Sequence, residues 1–145
     1  MALLPKSPSA RFLTGFIAFL LIIQCIPARI DRSPTTREVE APPAVMRALK
    51  RACYDCHSSE IKRPWYGKIA PVSWYVAREI NFGRAALDFS HWDEVGWEEN
   101  LLGKVYLSIE RGHMPTGDYL LLRPDAQLTD EELKAIRAWC RPYEN

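Results

Sequence analysis

Cys53-Tyr54-Asp55-Cys56-His57 is the one C-x-x-C-H in the 145-residue chain, and the reading of that stretch decides the fold. The two thiols can each add across a vinyl group of haem, while the adjacent imidazole supplies an axial nitrogen to the iron. The pattern therefore reads as covalent haem attachment through Cys53 and Cys56, with His57 as proximal ligand. Two other chemistries use C-x-x-C. A four-ligand zinc site wants a second close pair of Cys or His, and only Cys25, Cys140, His91 and His113 remain for it. A redox dithiol belongs at a helix start after a strand, and no alternating strand precedes Cys53. Both stay open behind haem.

Outward from the motif, the chain has room for one soluble domain of about 100 residues beyond an apolar leader. Nineteen Lys and Arg against 18 Asp and Glu leave no electrostatic footprint for a nucleic-acid partner. Eleven prolines and seven glycines in a chain that is 48% hydrophobic indicate helices broken by ordered loops. Four cysteines make no disulfide framework, since two belong to the motif and Cys25 lies in the leader.

Upstream, Lys6 and Arg11 precede an apolar run from Phe12 to Ile23. Residues 1–28 are expected to be a signal peptide or, preferred here, an uncleaved N-terminal membrane anchor, although a dozen strongly apolar residues fall short of the usual span of about 20. The leading charges keep the N-terminus in the cytoplasm and send the rest to the periplasmic side of a bacterial inner membrane. Cys25 reads as one more apolar position. Residues 29–42 lack a hydrophobic period and contain proline, so a linker is expected. Residues 43–145 are assigned to the haem-binding domain.

From Pro43, Val45, Met46, Leu49 and Cys53 lie on one helical stripe that leads into the motif. Arg63-Pro64-Trp65-Tyr66-Gly67 is a break, after which Pro71 opens a helix with Val72, Val76, Ile80 and Gly83 as its stripe. Leu101, Leu102, Val105 and Ile109 mark a third helix, and Gly112 is placed to end it in the left-handed conformation. Met114 follows directly, before a proline that holds it in extended backbone. It is the candidate distal ligand to the iron; neighbouring His113 is the rival, and His91 is expected to be a capping or core residue. Thr129-Asp130-Glu131-Glu132 is a capping box, with Leu128 and Leu133 as its staple, for a last helix carrying Leu133, Ile136 and Cys140 on one stripe. That helix is expected to cross the one entering the motif.

The strings CYDCHSSE, PWYGKIAPVSW, AALDFSHW, GHMP and PDAQLTDEE resemble the bacterial haem-binding domain family, and the element order resembles a class I c-type cytochrome. The resemblance implies an all-α, cytochrome c-like bundle of about four helices around one haem c. It also implies Cys53 and Cys56 as attachment points, His57 as proximal ligand and Met114 as distal ligand. Asp88 stands where the family's Asn is expected, and Arg123 where a His commonly precedes the proline.

The function expected from these features is a membrane-tethered periplasmic monohaem electron carrier and not an enzyme, a peroxidase-like site being the least favoured reading. The alternative is a haem-based redox or gas sensor in which Met114 is displaceable. Arg47, Lys50, Arg51, Lys62, Arg63 and Lys68 against Asp55 and Glu60 suggest a basic rim and an acidic redox partner.

Overall fold

A computed structural model describes residues 7–31, 33–95 and 100–140. The protein is all-helical among these residues, apart from one isolated bridge between Arg37 and His91. The longer helices are α1 (Pro8–Ile23), α2 (Pro43–Ala52), α4 (Val72–Ala86), α6 (Leu101–Glu110) and α8 (Asp130–Cys140). Three short ones, α3 (Tyr54–His57), α5 (Trp92–Val95) and α7 (Gly117–Leu122), fill the connections. The chain divides into two compact units, Met1–Asp31 with Arg63–Glu79, and Arg32–Lys62 with Ile80–Asn145. Residues 63–79 group with the leader.

In the first unit, α1 starts with a proline where a missing N–H costs nothing, and the Ser7 hydroxyl accepts from the Ala10 N–H. At its other end the Gln24 amide donates to the carbonyls of Leu20 and Ala70, at 2.8 and 3.1 Å, and accepts from the Ala70 N–H at 2.9 Å. The Trp74 indole donates to the Ile26 carbonyl at 3.0 Å. These bonds satisfy backbone groups of the loop before α4, which no helix or sheet would satisfy. The buried line of α4 begins at Ser73 and Ala77, and Val72 is exposed. The start of the expected stripe is thus displaced by one position, where two small side chains allow closer packing than valine does, while Ile80 is buried as expected. Among the described residues no helix is long and apolar enough to cross a membrane. At about 1.5 Å per residue, the sixteen residues of α1 reach ~24 Å against a hydrocarbon core of ~30 Å, so the transmembrane expectation is not met.

The second unit has a core of Val45, Leu49, Tyr54, Phe89, Tyr106 and Ile136, joined by Val39 and Cys140. Helix α8 packs on α2 and on α6, as the stripes require. Its capping box closes in both directions: the Thr129 N–H donates to Glu132 Oε2 at 2.9 Å and the Glu132 N–H to Thr129 Oγ1 at 3.2 Å. Arg51 of α2 pairs with Glu132 and donates to the carbonyls of Asp125 and Gln127, tying the two helices together. Cys140 is fully buried, in line with its reading as a small hydrophobe. Segment 33–40 is bonded into this unit. The Thr36 and Val39 N–H groups donate to Ser90 and Phe89 carbonyls, and Val39 is buried.

Candidate functional site

The motif begins where α2 ends. Cys53 lies between α2 and α3, and its carbonyl accepts from the N–H groups of Cys56 and His57 at 3.1 and 3.0 Å. One tight turn thus brings the backbones of Cys53, Cys56 and His57 together, and of the three, Cys53 and His57 line a common cavity. The four cysteines are unbridged, and burial pushes the Cys53 thiol up to about 12. A thiol held protonated in this way is the opposite of an activated redox dithiol. No group of three or more His, Cys, Asp or Glu able to hold a metal ion occurs among the described residues.

His57 is held from two directions by one segment. Its Nδ1 lies 3.0 Å from the Leu87 carbonyl, and because a carbonyl only accepts, Nδ1 carries the hydrogen. Its own carbonyl accepts from the Phe89 N–H at 2.8 Å, and the Phe89 ring meets the imidazole edge-on at 6.3 Å. Burial lowers the His57 pKa, overriding the Leu87 and Gly83 carbonyls that raise it, so the ring is neutral at physiological pH. Nε2 then has its lone pair and no hydrogen-bond partner among the described residues. This is the arrangement that a metal-ligating histidine requires, with the second nitrogen fixing tautomer and orientation.

His57 opens into a cavity of about 280 Å³ shared with Cys53 and Met114 and walled by Ala52, Leu87, Phe89, Leu101, Val105 and Ile109. Met114 is 40% exposed. Its position follows from the end of α6: Gly112 has φ +69°, the left-handed stop expected there, and the His113 and Met114 N–H groups both donate to the Ser108 carbonyl at 2.9 and 3.1 Å. His113 is exposed and does not line the cavity. Mostly apolar walls, interrupted by Lys104 and Ser108, with one neutral imidazole and one thioether suit a flat, largely apolar macrocycle with an iron centre, so the residues present fit haem.

Three supports for this site were not legible as such in the sequence. Gly83 of α4 abuts the motif so closely that a Cβ there would lie 2.6 Å from the Cys56 carbonyl oxygen. An isolated glycine inside a helical pattern is the available signal for such close approach. Asp55, between the cysteines, accepts from Tyr119 Oη at 2.9 Å and Arg123 Nη1 at 2.7 Å, linking the attachment turn to the segment that follows Met114. Asp88 accepts from Arg84 Nε at 3.1 Å and His91 Nδ1 at 2.9 Å, while His91 Nε2 lies 2.9 Å from the Pro34 carbonyl. Asp88 and Arg123 thus sit beside the groups that hold the candidate ligands. His91 is buried within this cluster, a core residue as expected.

A helical domain presenting one imidazole and one thioether to an apolar cavity belongs to the class of haem-binding proteins. The chain matches the haem-binding domain family over residues 15–142, and it is a member of that family. No curated protein and no solved structure matches it.

Proposed function

We propose that the protein is a monohaem c-type electron carrier, exported to the periplasmic side of the inner membrane and held there by α1. Cys53 and Cys56 form the thioether links, and His57 and Met114 are the axial ligands. The observation that carries this reading is the partnerless Nε2 of His57 in the cavity it shares with Met114. When bound, the haem supplies reversible one-electron exchange at iron. The chain does the rest. The Leu87 carbonyl holds the imidazole tautomer, Gly83 lets α4 close on the attachment turn, and the apolar walls exclude water. The Asp55–Tyr119–Arg123 bonds keep the turn and the methionine loop in register.

A partner with an acidic surface remains part of the proposal, on a reduced set of charges. Lys50 pairs with Glu38 and Glu60, Arg51 pairs with Glu132, and Arg63 and Lys68 belong to the other unit. Arg47 and Lys62 are the cations left to steer association at the rim. The second reading, a redox or gas sensor, draws on the exposure of Met114, since a thioether on a partly solvated loop is displaceable.

Expression of the full chain with a haem-attachment system, followed by mass and reduced spectrum, tests the carrier. Wild type and Met114→Ala are expected to gain one haem each, with an altered reduced spectrum in the variant. No haem gain overturns the reading, and an unchanged spectrum removes Met114 as ligand. Rapid, complete carbon monoxide binding by the reduced wild type favours the sensor.

A further inference from the structure

We infer that the first unit carries a binding site for the headgroup phosphate of an anionic phospholipid, beside the end of α1. This rests on the membrane-association part of the function proposed above.

Helix α1 has no polar face: Phe12, Leu13, Phe16, Ile17, Phe19 and Ile22 are all exposed. A helix that is apolar all round is stable only when something apolar surrounds it, and for a segment of this kind that surrounding is lipid. Its end is not a loose tail. Gln24 is bonded to both backbone groups of Ala70, and Trp74 to Ile26, so the residues that leave the helix are fastened to the segment before α4.

At this junction lies a cavity of about 270 Å³ whose lining includes Gln24, Ala28, Arg63, Lys68 and Ser73. Arg63 is half-buried, and neither it nor Lys68 has an ionic partner among the described residues. A partly desolvated guanidinium without a counter-charge is unfavourable, and its planar fork is matched by phosphate oxygens. The unit as a whole has Lys6, Arg11, Arg29, Arg63, Lys68 and Arg78 against Asp31 and Glu79. Around the cavity, Trp65 is 74% exposed and packs edge-on against Tyr66, with Ile69 and Tyr75 also outward. Exposed Trp and Tyr next to an apolar helix are the side chains that settle at the headgroup level of a bilayer. Hydrocarbon around α1 and aromatic rings at its edge leave phosphate as the next layer, to which Arg63 and Lys68, without an ionic partner among the described residues, are suited. Free phosphate would account for the cations but not for the exposed aromatic rings.

The test uses the full haem-loaded chain, purified in mild detergent and then mixed with vesicles of phosphatidylcholine alone or of phosphatidylcholine and phosphatidylglycerol in equal parts. Binding is read by flotation, and the haem spectrum verifies folding. The wild type is expected to bind both and to prefer the mixed vesicles. Arg63→Gln is expected to weaken that preference by about fivefold or more, and Arg78→Gln, an equal change of charge on the same unit, by clearly less. Equal binding to both vesicles overturns the site while leaving the tether in place. Equal losses in the two variants also overturn it, since the attraction would then be diffuse charge. Displacement by millimolar inorganic phosphate overturns the lipid assignment, and failure to bind either vesicle overturns the site together with the membrane reading.

Discussion

In the second unit Tyr54, Leu49, Phe89 and Ile136 are fully buried, and Tyr54, Phe89 and Trp92 form a stacked series beside the motif. In the first unit Phe12, Phe16, Phe19 and Trp65 face outward. Both units are rich in apolar side chains, so composition does not separate them. What separates them is how the backbone and charges are arranged around those side chains. The second unit closes on itself, with Arg51, Lys50, Arg84 and Arg123 each paired to a carboxylate. Among the described residues, the first leaves most of its apolar helix exposed and gives Arg63 and Lys68 no ionic partner. One unit is therefore built around an internal site and the other around an external surface.

Changes in one unit should leave the other's readout untouched. The largest effect is expected from Cys53→Ser combined with Cys56→Ser, which should abolish haem retention under denaturing conditions while vesicle binding persists. Loss of vesicle binding in that variant would mean that the units do not act separately. Gly83→Ala comes next. The added Cβ meets backbone and not a flexible side chain, so roughly 1–3 kcal/mol of destabilisation and a reduced haem content are expected, read by thermal unfolding and by absorbance per chain.

Trp74→Phe removes the bond to Ile26 but keeps the ring. It should cost about 1 kcal/mol within the first unit, with no change in the haem spectrum. A spectral change would show that the contrast drawn between the units is too sharp. The smallest effect concerns α8. Burial pushes the Glu132 carboxyl up, but the Thr129 N–H and Arg51 hold it below its ordinary value of 4.5 overall. The folded state then binds fewer protons than the unfolded one, so this stabilisation is present above about pH 4.5 and is lost as pH falls through the lowered value. Glu132→Gln should remove that step from the acid side of the stability profile, measured by denaturant titration at several pH values.

Much of the second unit was legible because its signals are local. The C-x-x-C-H turn, the glycine that ends α6, the methionine after it and the capping box of α8 each depend on residues within one or two turns of chain. The buried stripe of α4 was misread at its start, because Val72 is more hydrophobic than Ser73 while the smaller side chain packs closer. The linker was read from composition, which does not reveal that Val39 finds a place in the core.

The sequence by itself determined the helical class, the place of the C-x-x-C-H turn and the left-handed end of α6 ahead of Met114, since these rest on residue identity and short spacing. Only the tertiary structure decided which carbonyl orients His57, why position 83 must lack a side chain, and which of the basic residues are already paired. It also decided that Gln24 fastens α1 to a segment some forty-six positions away. The physical reason is the same in each case: such contacts join groups distant in the chain, and backbone carbonyls, close approaches and ion pairs between distant residues leave no periodic trace in the sequence.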